Sequence, residues 1–129
     1  MPVNIISGLD VSVAGGPALK IGQSIPVEAY DYVDVIVADG AADEVVEIQP
    51  STGAGQVQFL LVSASQYSPA LTYKVNAAAN PANDLDRPLL LAGAGAIGLL
   101  GAAPESLVFS NATGADINVQ VIVGRDATP

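Results

Sequence analysis

The sequence predicts an all-β chain, an antiparallel β-sandwich or jelly roll in a single domain, and three observations carry that expectation. Apolar and polar residues alternate with period two in several short runs. The runs recur about every ten residues with Gly, Pro, Asn and Asp between them, the spacing of sandwiches and jelly rolls. No segment sustains a 3.6-residue period with caps. Half of the 129 residues are hydrophobic, but there are only two Phe, four Tyr and no Trp. Such a core is built from small and β-branched side chains, which suits strands packed face to face.

The runs follow in order. Residues 1–8 read as an N-terminal arm and residues 9–129 as the sandwich. Leu9, Val11 and Val13 alternate with Asp10 and Ser12 until Gly15, Gly16 and Pro17 break the run; Ile25, Val27 and Ala29 alternate next. Tyr32 to Ala38 is a dense β-branched run that stops at Asp39-Gly40, a turn-forming dipeptide. Glu44 to Gln49 is short and β-rich, closed by Pro50 and the turn-forming residues 51–55. In Gln56 to Ser63 the alternation sets Val57, Phe59 and Leu61 on one face, and Leu71, Tyr73 and Val75 alternate after it. Ala77 to Asp86 reads as a loop, and Leu107 to Ser110 and Ile117 to Val123 as two strands around the turn Asn111 to Asp116. Gly40 to Glu44 is the best helical candidate, at one turn.

Composition narrows the chemistry. There is no cysteine and no histidine, so a disulfide framework, a thiolate metal site and the Ser-His-Asp and Cys-His nucleophile systems all lack a member. Thirteen acids against four bases give a net charge of −9, and Glu28 to Glu47 carries seven acids and no base. Such a surface repels phosphate backbones, and the scarcity of aromatic rings leaves no stacking platform, so no nucleic-acid partner is expected. The N-terminus has neither a basic n-region nor a long apolar h-region. The uncharged window between Arg87 and Glu105 approaches the length of a membrane span, but its glycines and two prolines argue against a spanning helix, and no membrane is expected.

Two patterns resemble sites. Gly93, Gly95 and Gly98 reproduce the G-x-G-x-x-G spacing of dinucleotide-binding folds, within Pro88 to Gly101, PLLLAGAGAIGLLG. That motif needs a helix of ten or more residues after the glycines and an acid about twenty positions on. Only eight residues separate Gly98 from Leu107, and they include Pro104. The glycines are therefore read as turning an apolar strand, with Leu89, Leu91, Ile97, Leu99 and Leu100 buried in the sandwich or against a neighbouring subunit. The acids Asp31, Asp34, Asp39, Asp43, Glu44 and Glu47 do not have the spacing of a calcium loop, and a solvated acidic edge that discourages sheet-to-sheet pairing is the favoured meaning. Asp84 and Asp86 beside Arg87 suggest a loop-anchoring ion pair, and Asn111-Ala112-Thr113 fits the glycosylation pattern but reads as a turn. No catalytic, cofactor or metal set is assigned.

From about Val57 to Arg125 the chain resembles small virion structural proteins of tailed bacteriophages. The likeness lies in the order FLLVSASQY, LTYKVN, PLLLAGAGAIGLLG and LVFSNATGADINVQVIVGRD. It implies a non-enzymatic capsid cement or decoration protein, made in the host cytoplasm, that binds the major capsid protein on the virion surface and oligomerises, with a trimer favoured. It carries over no catalytic residues and no cofactor. Expected subunit contacts are Val3, Ile5 and Ile6 of the arm, which can add a strand to another sheet edge, together with Leu89, Leu91, Ile97, Leu99 and Leu100. The alternatives are a tail or baseplate accessory, or a calcium- or carbohydrate-binding sandwich that uses the acids of residues 28–47.

Overall fold

A computed structural model of the chain describes residues 3–48, 56–100 and 104–126. Met1, the expected turn at residues 51–55 and Gly101 lie outside the described residues. Ten strands are present among them: β1 Val3–Ser12, β2 Ala18–Val27, β3 Ala29–Val37, β4 Glu44–Glu47, β5 Gln56–Ala64, β6 Ser68–Val75, β7 Asn83–Leu85, β8 Leu89–Ala92, β9 Ser106–Asn111 and β10 Ile117–Asp126. Every pairing is antiparallel. The fold is all-β, with two packed four-stranded sheets in the orders β3-β10-β5-β8 and β4-β9-β6-β7, and β1 and β2 form a separate two-stranded hairpin.

The core forms where the two sheets face each other, because alternate residues of each strand point inward. From the first sheet Val37, Leu60, Val62, Val119 and Val121 are buried; from the second Val46, Leu71, Tyr73, Leu107 and Phe109 meet them. Leu71, Tyr73 and Val75 thus share the buried face their alternation predicts. On β5 the phase differs from expectation. Val57, Leu60 and Val62 join the core, whereas Leu61 lies on the outer face beside Phe59, and the register shift at Gly124/Arg125 where β10 pairs with β5 separates Val57 from Phe59. Both faces of β5 are apolar, so alternation alone does not say which one is inside.

Other departures are local. The stretch read as a loop at 77–86 contains the three-residue strand β7, which pairs with β6. Gly40 to Glu44 is no helix; it is a turn that leads into β4, and the one short α-turn among the described residues is α1, Ala94–Ile97, followed by a 3₁₀ turn at Gly98–Leu100. Asp39-Gly40 turns the chain as expected, with Gly40 at φ 82°.

The loop between β9 and β10 is organised by one buried amide. Asn111 is 1% exposed. Its Nδ2 donates to the carbonyls of Val37 (2.9 Å) and Ala115 (2.7 Å), and its Oδ1 accepts from Thr113 N–H (3.0 Å) and Thr113 Oγ1 (2.7 Å). All four of its hydrogen-bonding positions are used. The Asn-x-Thr triplet is therefore a turn whose asparagine ties β3 to the loop before β10.

The acids lie where the edge-strand reading puts them. β3 and β4 each end their own sheet, and residues 38–43 join them, so the acidic strands border one rim of the sandwich. Asp31 meets Arg125 at 3.0 Å and Asp43 meets Lys74 at 3.0 Å. Asp39 Oδ1 accepts from Gly114 N–H and Asp116 Oδ1 from Asp39 N–H, which holds two loops together. No group of three potential metal-ligating side chains occurs among the described residues. Arg87 donates to the backbone carbonyl of Asp86 at 2.6 Å, so the contact that anchors this loop runs to main chain.

Candidate functional site

The hairpin is the feature that the core does not explain. Its register pairs Val3 with Val27, Ile5 with Ile25, Leu9 with Ile21 and Val11 with Leu19. Directly opposed residues share a face. One face of the arm is therefore apolar for its whole length, broken only by Ser7 and Gln23. The other face carries Asn4 and Pro26, Ile6 and Ser24, Gly8 and Gly22, then Asp10 opposite Lys20, and Ser12 opposite Ala18.

Only the base of the apolar face has somewhere to go. Val27 is buried, Ile5 and Ile25 are half-buried, and Glu28 N–H donates to Arg125 O at 3.1 Å where the arm joins β3. The base sits over Gly124 of β10: a side chain there would overlap Ile5 Cδ1 and lie 3.2 Å from Val27 Cγ1. Glycine at this point lets the arm approach the outer face of the sheet. Beyond the base the same face continues with nothing against it, and Leu9, Val11, Leu19 and Ile21 are 44–59% exposed. A two-stranded hairpin is marginal by itself in water, so an arm of this length with a bare apolar half is incomplete as an isolated element.

Beside the arm lies a groove of about 290 Å³. Ile5, Ile6, Ser7 and Gly8 of β1 make one wall, and Phe59, Leu61, Leu90 and Ile122 on the outer face of the β3-β10-β5-β8 sheet make the rest. The register explains the floor, since Ile122 pairs with Leu61, which pairs with Leu90. The same row runs on to Tyr32 of β3, 53% exposed, whose hydroxyl accepts from Gln120 Nε2 at 2.9 Å. No charged side chain lines this groove.

The residues expected at subunit contacts divide between these surroundings and the interior. Val3 is 39% exposed and Ile6 82% exposed, both on β1, and Ile5 secures the base of the arm. The expected arm, residues 1–8, occupies only the first part of a strand that continues to Ser12 and turns back as β2. Leu89, Leu91 and Leu100 are half-buried against the core, and Ile97 is 5% exposed within it. Leu99 is 82% exposed, apart from the others. The glycine motif gives Gly93 at φ 93°, one helical turn closed by Ile97 N–H donating to Gly93 O, and Gly93 N–H donating to Gln58 O. A Cβ added at Gly95 or Gly98 would meet nothing within 4 Å. The glycine of the motif that the backbone requires is Gly93, which is left-handed and turns the chain out of β8.

Sequence reasoning missed Leu61, Leu90 and Ile122 as a surface beside the buried Phe59, because each reads as core. It also missed β2. The available signal was Gly15-Gly16-Pro17 between two runs that both alternate, Leu9 to Val13 and Leu19 to Ile21. Comparison with protein-family models, with curated proteins and with solved structures finds no match to this chain.

Proposed function

We propose that this protein is a non-enzymatic virion structural protein, a capsid decoration or cement protein that oligomerises and binds the major capsid protein through surfaces that include the β1–β2 arm. The observation that carries the reading is the arm: an amphipathic hairpin whose base is fastened to a closed sandwich and whose outer apolar half is left bare. Binding surfaces of this kind are completed by association, since covering the remaining half of each Leu, Val or Ile contributes roughly half of the ~1.5–3 kcal/mol of full burial.

Strand order adds a second support. From β3 to β10 the chain fills the two sheets as β3-β10-β5-β8 and β4-β9-β6-β7, an arrangement we read as a jelly roll of eight strands. That architecture is frequent in capsid proteins and also in lectins and cupins, so it is support by analogy of fold, whereas the arm is support by site. The acidic rim fits the same picture, because it discourages pairing at β3 and β4 and leaves association to neutral surfaces.

The deciding experiment adds the purified protein to capsid shells that lack it. Saturable binding, at a stoichiometry near one copy per major capsid protein or one trimer per local three-fold position, is the expected result. No binding to shells would overturn the assignment, and binding confined to tails would move it to a tail or baseplate accessory.

A further inference from the structure

We propose that the groove between β1 and the outer face of the β3-β10-β5-β8 sheet receives the outer half of the β1–β2 arm of a second copy of this chain. The inference rests on reading the arm as an assembly element and names the partner of that element. Donor and acceptor are both present in one molecule: the outer half of the arm is about half exposed, and in the groove Leu90 is exposed and Leu61 and Ile122 are half-buried beside the buried Phe59. The acceptor is an apolar floor of Phe59, Leu61, Leu90 and Ile122. The donor is the apolar face of Leu9, Val11, Leu19 and Ile21, continuous with the face by which the arm already sits on its own sheet.

Charge selects the arm over any other part of a second copy. Residues 3–27 carry one acid, Asp10, and one base, Lys20, directly opposed, and so are neutral. Residues 28–129 carry twelve acids and three bases, the entire net charge of −9. Two sandwiches brought together repel each other, whereas an uncharged hairpin entering an uncharged groove meets no such opposition. Geometry adds directionality. Among the described residues β1 pairs only with β2, so its other edge borders the groove with unpaired backbone groups to which an incoming strand can add. An arm that enters another copy's groove makes a head-to-tail contact, and such contacts close into rings when the rotation allows, a trimer being a small one.

The test uses sedimentation velocity on the full chain across a concentration series. Two variants disable opposite halves of the contact: Val11→Glu/Leu19→Glu in the arm, and Leu90→Glu in the groove wall. All three positions are at least partly exposed, and far-UV circular dichroism with a thermal melt verifies that each variant folds. Wild type should form a discrete oligomer, and each variant alone should be monomeric, with association weakened ~100-fold or more because a carboxylate would be desolvated without a partner. Mixed, the two variants should form a one-to-one heterodimer that grows no further, since one intact groove and one intact arm remain. A wild-type monomer at millimolar concentration, a wild-type-like oligomer from either folded variant, or a mixture that yields no heterodimer would each overturn the proposal. Binding to capsid shells is scored separately. A monomeric protein that still saturates shells would refute arm exchange and leave the decoration role standing, and an arm-exchanged oligomer that ignores shells would do the reverse.

Discussion

Replacing Gly124 with alanine probes how the arm is held. The new Cβ would overlap Ile5 Cδ1, lie 3.2 Å from Val27 Cγ1 and sit 3.4 Å from Phe59 Cβ. The three neighbours differ in what they can yield. Ile5 Cδ1 is the far end of a flexible side chain and can swing away at little cost, and the Phe59 contact is ordinary. Val27 is β-branched and 1% exposed, so it has little freedom to move. Overpacking then falls in the lower part of the usual ~1–3 kcal/mol range. Alanine in a strand interior regains ~0.5–1 kcal/mol over glycine. The net expectation is a loss of about 1 kcal/mol, a fall in Tm of roughly 2–6 °C for a chain of this size. Urea and thermal unfolding measure it. In a double-mutant cycle with Val27→Ala, removing the branch that cannot yield should recover most of the loss, a coupling of about 1 kcal/mol. A Gly124→Ala protein as stable as wild type, or strictly additive effects with Val27→Ala, would refute the account of the arm's seat.

Three further outcomes are expected. Asn111→Ala should cost about 2–3 kcal/mol in chemical denaturation, because it takes a donor from the Val37 carbonyl and the acceptor from the Thr113 amide, while Ala115 O keeps the Thr113 hydroxyl. Gly93→Ala should destabilise by ~1–2 kcal/mol through its left-handed backbone, whereas Gly95→Ala and Gly98→Ala should stay within ~0.5 kcal/mol of wild type, the three compared by thermal shift. Burial raises the pKa of the Tyr73 hydroxyl. The folded state therefore keeps a proton that the unfolded state releases, so this contribution to stability is complete below the ordinary tyrosine value of about 10 and is lost as pH rises through the elevated folded value. Urea titrations at pH 8 to 11 should show a steeper alkaline decline in wild type than in Tyr73→Phe.

How far the fold was legible depended on whether a strand had one apolar face or two. β6 and β10 alternate cleanly and their buried sides follow from the residues alone. β5 does not, because Phe59 and Leu61 are apolar for the groove while Leu60 and Val62 are apolar for the core. β7 was invisible: three residues pair with β6 through tertiary placement that no local pattern announces. The interface residues suffered from the same ambiguity. An apolar side chain signals burial without saying whether the covering surface belongs to its own chain, so Ile97 was read as buried either in the sandwich or against a neighbour, and it is covered by its own core. The arm was half visible, since β1 alternates, but β2 contains Lys20, Gly22, Gln23 and Ser24, which obscure its apolar positions.

The position of β10 bears on how the chain folds. It is the last strand among the described residues, yet it lies inside its sheet, hydrogen-bonded to β3 on one side and β5 on the other. The hairpin closes across five residues, and pairing of that range forms in microseconds. The first sheet cannot zip until a strand some eighty residues downstream of β3 arrives, a closure of high contact order that folds slowly. During synthesis the arm can thus be formed while β3 and β5 still await the strand between them. Strand edges and apolar surface are exposed together in that interval, the stage at which such a chain is most open to aggregation or to meeting another copy of itself.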